Sequence, residues 1–389
     1  MVVYEPILIT LMTDMLFDTA FKEQFSDIRC FDDTEVKKIL QDLKESTRLE
    51  FVFSQLFPKE VIDTRELYSC TTVDSIQSWL IHSLIPKISH TYTEISVRGI
   101  EALNPEHRYV FISNHRDIAM DPILVNLALN QSGHETAHNA IGDNLLLSMT
   151  GTRMALLNKC FRVARSVKSP KAMLVALKKQ AEYIRQLRFE HNKNIWIAQR
   201  EGRALDGIDA TNPALIKMLT LGLGRSEHLK TLKQLNIVPV TLSYEWDPCD
   251  QNKARRVLEE EQLSAEDKLT RDKFDVLTGL IGFKGKITAT FGAPLELSSL
   301  DKIDTRELPD AVSVQLDTAI ISGYANYPIN RLAQKLCSAN FVRVPNLSED
   351  ETLAFNELCT RLNIAQDLSN LSKTHEQVIK AYAQRPSPT

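Results

Sequence analysis

The chain has 389 residues, 43% of them hydrophobic and 25% charged, with a formal net charge of −4. That length can bury a substantial core, and the composition is that of an ordinary globular protein rather than a disordered or fibrous one. Nothing in the net charge advertises nucleic acid as a partner. Six scattered cysteines without a CxxC spacing argue against a zinc cluster or a disulfide framework and fit a reducing cytoplasm.

The first residues lack a basic leader, and their apolar run is broken by Thr10, Thr13 and Asp14, unlike a signal peptide. No stretch approaches the ~20 apolar residues that cross a bilayer. Residues 1–90 read as helices. Asp32-Asp33-Thr34-Glu35 is rich in capping acids and precedes Val36, Ile39, Leu40 and Leu43 at helical spacing. Pro58 ends the next pattern, and Ile76, Trp79, Leu80, Leu84 and Ile85 form another.

From Tyr92 the style changes. Glu94 to Arg98 alternates as a strand, and further strands are expected at 109–113, 161–164, 195–198, 237–242 and 286–291. Helices fit 122–130, 171–189 and a segment starting near Pro213. Beyond residue 296 the pattern is helical again, and 384–389 reads as a loose tail. This alternation implies an α/β fold with a mostly parallel sheet flanked by helices. The expected organisation is a helical N-terminal region (1–90), an α/β domain (91–295) and a helical C-terminal region (296–389).

Tyr109 to Pro122 is the most informative stretch. An apolar run, Tyr109 to Ile112, leads into Ser113-Asn114-His115-Arg116-Asp117, and Asp121-Pro122 suits an N-cap and the first turn of a helix. A histidine just past the carboxyl end of a strand, with a carboxylate in reach, is how a general base is presented in an α/β protein. Gln199-Arg200-Glu201-Gly202-Arg203 follows the 195–198 strand. Two arginines flanking a glycine there suit a phosphate, because arginine gives forked, charge-assisted bonds and glycine admits a ligand to the backbone. Residues 151–188 carry ten basic residues, from Arg153 to Arg188, against one acid, Glu182. Such a concentration draws anions or an anionic membrane surface.

Taken together these blocks resemble the glycerolipid acyltransferases, the family of 1-acyl-glycerol-3-phosphate acyltransferases. Ser113 to Asp117 with Asp121-Pro122 resembles the first motif, a His and an Asp separated by four residues. Here His115 and Asp121 are separated by five. Either the loop bulges by one residue, or Asp117 takes the orienting role. Phe161 to Arg165 resembles the second motif, implying that Arg165 helps bind glycerol phosphate. Arg200-Glu201-Gly202-Arg203 resembles the third, without its spacer residue, and Val238-Pro239-Val240 the apolar fourth. Tyr244 to Asp250 reads as a turn after a strand.

The resemblance implies acyl transfer from acyl-CoA or acyl-carrier protein to a lysophospholipid-like acceptor, with no cofactor and no metal. His115 would be the base, Asp121 or Asp117 its partner, and Arg165, Arg200, Glu201, Gly202 and Arg203 would bind substrate. A cytoplasmic protein docked peripherally on the inner face of the membrane is expected, through the basic stretch or the apolar helix near Trp79. Two other classes compete. One is a metal-dependent phosphate-ester hydrolase using His115, Asp117, Asp121 and Asp143 as hard ligands. The other is a non-catalytic binder of anionic lipid.

Overall fold

Among the described residues seven short strands form, all but one of them where the sequence is rich in β-branched and aromatic residues. They are β1 (Tyr92–Arg98), β2 (Val110–Ser113), β3 (His138–Gly142), β4 (Cys160–Val163), β5 (Ile195–Ala198), β6 (Ile237–Tyr244) and β7 (Gly285–Phe291). The computed structural model describes residues 17–57, 61–146, 148–167, 169–259 and 261–384. The expectations for the leader, Pro58 and residues 385–389 lie outside those residues.

Two compact units emerge, and neither is a continuous piece of chain. The larger comprises residues 88–137 and 194–389, the smaller residues 1–87 and 138–193. In the larger unit five strands lie in the order β1-β7-β6-β2-β5. β2 runs parallel to both β5 and β6, β1 is parallel to β7, and only β6–β7 is antiparallel. β2 and β6 are buried along their whole length, as strands covered on both faces must be, which is why they read as unbroken apolar runs. The C-terminal helices belong to this unit. Ile329, Leu332, Leu336, Phe355, Leu358, Val378 and Ile379 form a core with Trp246 and Ala254.

In the smaller unit β3 and β4 pair in parallel. β3 (His138-Asn139-Ala140-Ile141-Gly142) was not expected, since a short strand with two polar residues and a glycine carries no alternating signal. The N-terminal helices form a core of Val36, Leu40, Leu43, Leu67, Ile76 and Trp79, with Leu80 and Leu84 against it. Trp79 is 5% exposed, so the apolar helix considered for membrane docking spends its tryptophan on packing.

The basic stretch is also changed by folding. Arg153 pairs with Asp42, Lys159 with Asp74, Lys179 with Asp27 and Arg185 with Glu182. Arg185 and Arg188 are buried. Among the described residues no helix is long and apolar enough to cross a membrane.

Replacing Trp79 by alanine should therefore destabilise the protein by about 3–5 kcal/mol, the usual effect of emptying a large aromatic site in a core. Urea unfolding measures this. A loss below 1 kcal/mol would mean that the indole is not a core residue.

Candidate active site

The site is built at the carboxyl end of β2, which lies between β6 and β5 in the larger unit. The helix that follows spans Met120–Gln131, starting two residues earlier than expected. Asp121 is therefore not its cap. The N-cap position falls on Ala119, and Asp117 just before it accepts from the N–H groups of Ala119 (2.9 Å) and Met120 (2.8 Å). Asp121 lies in the first turn, where the helix dipole favours a negative charge.

Asp121 is fully buried, and its carboxylate is surrounded by donors. Oδ2 accepts from His115 Nδ1 at 2.9 Å, from Arg116 N at 2.7 Å and from Asp117 N at 3.0 Å. Oδ1 accepts from the Tyr244 hydroxyl at 2.7 Å. The loop 114–119 wraps round this carboxylate, which accounts for the extra residue between His115 and Asp121. Of the two acids left open by the sequence, Asp121 touches the imidazole and Asp117 holds the helix end. Burial pushes the Asp117 carboxyl up, and the charge of Asp121 adds to this. The Tyr244 phenol is raised well above its ordinary value by burial and then by Asp121, so it donates to the carboxylate as a neutral hydroxyl.

With a carboxylate on Nδ1, that nitrogen carries the proton, and in the neutral ring Nε2 bears the lone pair. Nε2 has no protein partner among the described residues, and the side chain is 14% exposed. Trp196 of β5 meets the imidazole edge-on, with ring centroids 6.2 Å apart, and its indole N–H donates to Ser113 Oγ at 3.1 Å. The histidine is held on one side and open on the other.

Beneath it lies a layer the sequence did not reveal. Asn114 extends the β2–β6 ladder with its side chain: Nδ2 donates to the Leu242 carbonyl (3.0 Å), and Oδ1 accepts from Leu242 N (2.8 Å). The buried Arg116 guanidinium pairs with Asp209 at 3.3 Å and approaches Asp247 at 3.9 Å. Burial alone would lower its pKa, but Asp209, Tyr324 and Asp247 raise it overall. Lys253 donates to the Arg116 carbonyl at 2.6 Å and to Asp247. Burial would raise the Asp247 carboxyl, yet Lys253 and Arg116 hold it down at about 2. Tyr244 and Asp247, expected to form a plain turn, thus brace the histidine loop. Tyr382, near the chain's end, donates to Asp250 at 3.0 Å and accepts from Asp247 N at 2.8 Å.

The second predicted cluster divides. The 199–204 loop leaves β5 beside β2, tied by Gln199 N to the Ser113 carbonyl (2.7 Å) and Ala204 N to the His115 carbonyl (3.0 Å). Gly202 adopts φ +72°, the left-handed conformation that favours glycine. Glu201 is exposed and Arg200 half-buried, the latter with no charged partner among the described residues. Arg203 departs from the expectation of a phosphate ligand. Its guanidinium is 3% exposed and bound to Asp275 at 2.9 Å and Asp272 at 2.8 Å, both on the helix Ala265–Ile281. Two carboxylates leave it no charge to offer a ligand. The same helix approaches the loop at Gly279, where a Cβ would lie 2.1 Å from Asp117 Oδ2. Arg165 belongs to the smaller unit, where its backbone N–H donates to Asp143 Oδ1 at 3.1 Å. Asp143 also accepts from Ser166. Among the described residues no three His, Cys, Asp or Glu side chains converge as a metal site would require.

Residues 94–243 match the family model described as Acyltransferase, a span running from within β1 nearly to the end of β6. This segment, less than half of the chain, is similar to that family. Among solved structures it is similar to the 1-acyl-sn-glycerophosphate (LPA) acyltransferase PlsC from Thermotoga maritima. That similarity covers 74% of this chain and 95% of the other, at 12% identity and a TM-score of 0.36. No curated protein matches the chain.

Arg203→Ala should cost about 3–5 kcal/mol of stability, because it strands the Asp275 charge in the interior. Denaturant unfolding would register it. Unchanged stability with a raised KM for a phosphorylated acceptor would return Arg203 to substrate binding.

Proposed function

We propose that the chain is an O-acyltransferase moving a fatty acyl group from acyl-CoA or acyl-carrier protein to a lysophospholipid-like acceptor, 1-acyl-glycerol-3-phosphate or a relative. The observation that carries this reading is the His115–Asp121 contact at 2.9 Å, with Nε2 free, inside the segment matched by the acyltransferase family. The acceptor hydroxyl is the nucleophile. Its oxygen attacks the thioester carbonyl while Nε2 of His115 takes its proton. The carbon–sulfur bond then breaks, and the imidazolium returns the proton to the leaving thiolate. Asp121 keeps the imidazole in the Nδ1–H tautomer and stabilises its charged form, the part an acid plays beside a catalytic histidine. The reaction needs no protein nucleophile.

With Arg203 committed to Asp272 and Asp275, Arg200 takes the acceptor phosphate in this reading. It stands two residues past β5, and the register Ser113↔Ala198 places it at the same sheet end as His115. Glu201 and Gly202 shape that loop. Arg165 is a further phosphate ligand by the resemblance to the second motif. The location that fits a lipid acceptor is cytoplasmic and peripheral, against the inner face of the membrane.

Mass spectrometry of lipids formed from a panel of lyso-acceptors, with acyl-CoA or acyl-carrier protein as donor, tests the activity directly. An acylated product is expected with a phosphate-bearing acceptor, and none with any acceptor or donor would sink the reading. His115→Ala should lower turnover by about 10²–10⁴-fold, the usual worth of a general base. Asp121→Asn should also lower it markedly, through the wrong tautomer, while Asp117→Asn, whose side-chain oxygen still accepts at the helix start, should have little effect. The reverse order would give the orienting role to Asp117. Arg200→Ala should raise the KM of phosphorylated acceptors about 10–100-fold, the loss of one charge-assisted bond. Equal effects on unphosphorylated acceptors would remove it from the phosphate.

A further inference from the structure

The helix Pro170–Phe189 of the smaller unit presents an unusual face in its first half. Lys171, Leu174, Val175 and Lys178 are all exposed, Leu174 by 47% and Val175 by 62%. Their i, i+3, i+4, i+7 spacing places them side by side on one surface of the helix. Four other cations of the basic stretch, Arg153, Lys159, Lys179 and Arg185, are neutralised within the unit by Asp42, Asp74, Asp27 and Glu182. Lys171 and Lys178 have no carboxylate partner among the described residues, and no Asp or Glu occurs in the sequence from 151 to 181. Folding therefore sharpens a diffuse basic stretch into two free lysines bracketing two exposed aliphatic side chains.

We propose that this face, Lys171–Leu174–Val175–Lys178, docks the protein on an anionic membrane surface. The inference rests on the acyl-transfer reading, since a lysophospholipid acceptor resides in a bilayer. An aliphatic pair inserts at the headgroup boundary, while lysine stems lie along it and carry their ammonium groups to lipid phosphates. A convex helix face suits a fluid lipid surface better than a folded acidic partner, whose anchor residues need pockets to fill.

Co-sedimentation of the full chain with vesicles tests this, comparing phosphatidylcholine alone with mixtures containing phosphatidylglycerol, at low and high salt. The wild type should bind only the anionic vesicles and dissociate as salt rises. Lys171→Glu/Lys178→Glu should weaken binding at least about 30-fold, and Leu174→Ser/Val175→Ser should weaken it at unchanged charge. All four positions are exposed, so the variants' thermal midpoints should match the wild type, and this is checked alongside. Variants that sediment like the wild type, or binding indifferent to lipid charge and salt, would overturn the proposal. So would binding of acyl-carrier protein by this face without vesicle binding.

Transfer to a short-chain lyso-acceptor, kept below its micelle concentration, separates the two ideas. Variants that lose vesicle binding yet acylate this soluble acceptor normally support the docking face. A wild type inactive on every acceptor ends the transferase reading, while the vesicle result still decides the docking face.

Discussion

A buried carboxylate organises this site. Asp121 is sealed from water, and an ionised group there is tolerable only if donors replace its hydration. Four do so: two backbone N–H groups of the loop after β2, the His115 ring and the Tyr244 hydroxyl. Satisfying the charge fixes the path of the loop, the rotamer of the imidazole and the position of the helix start at once. The same requirement makes the histidine asymmetric, with one nitrogen committed inward and the other without a protein partner among the described residues. The geometry of His115 is a by-product of solving a solvation problem.

The next layer outward obeys the same rule. Arg116 is buried next to His115 in the chain, so Asp209 and Asp247 must accompany it, and Lys253 must accompany Asp247. These residues lie far apart in sequence, and the C-terminal helix joins them through Tyr382. Breaking one member would leave another charge uncompensated, which is far more damaging than never having buried the set. The C-terminal helices, which carry no recognisable motif, thereby help hold the loop that carries His115.

Charge read along a chain differs from charge on a surface. The stretch 151–188 is strongly basic in sequence, yet Arg153, Lys159, Lys179 and Arg185 are matched by Asp42, Asp74, Asp27 and Glu182. Arg203 shows the same effect at the site, where an apparent phosphate ligand is already paired with Asp272 and Asp275. For Arg153, Lys159, Lys179 and Arg203 the partner comes from a segment distant in sequence, while Glu182 meets Arg185 within one helix.

The sequence by itself determined the α/β class, six of the seven strands among the described residues to within two residues, and the histidine loop at the end of β2. Those features are local: periodicity, β-branched runs and a polar break after a buried strand all act within ten residues. It left open whether Asp117 or Asp121 faces His115, because a one-residue difference in loop length decides it and loop paths depend on what the loop must wrap. Only the tertiary structure selected Asp121, recruited Tyr244, Asn114 and Lys253, and withdrew Arg203 from ligand binding. Each of those outcomes depends on side chains tens to hundreds of residues apart satisfying one another's buried charge or hydrogen bonds, and no local pattern in the chain encodes such a pairing.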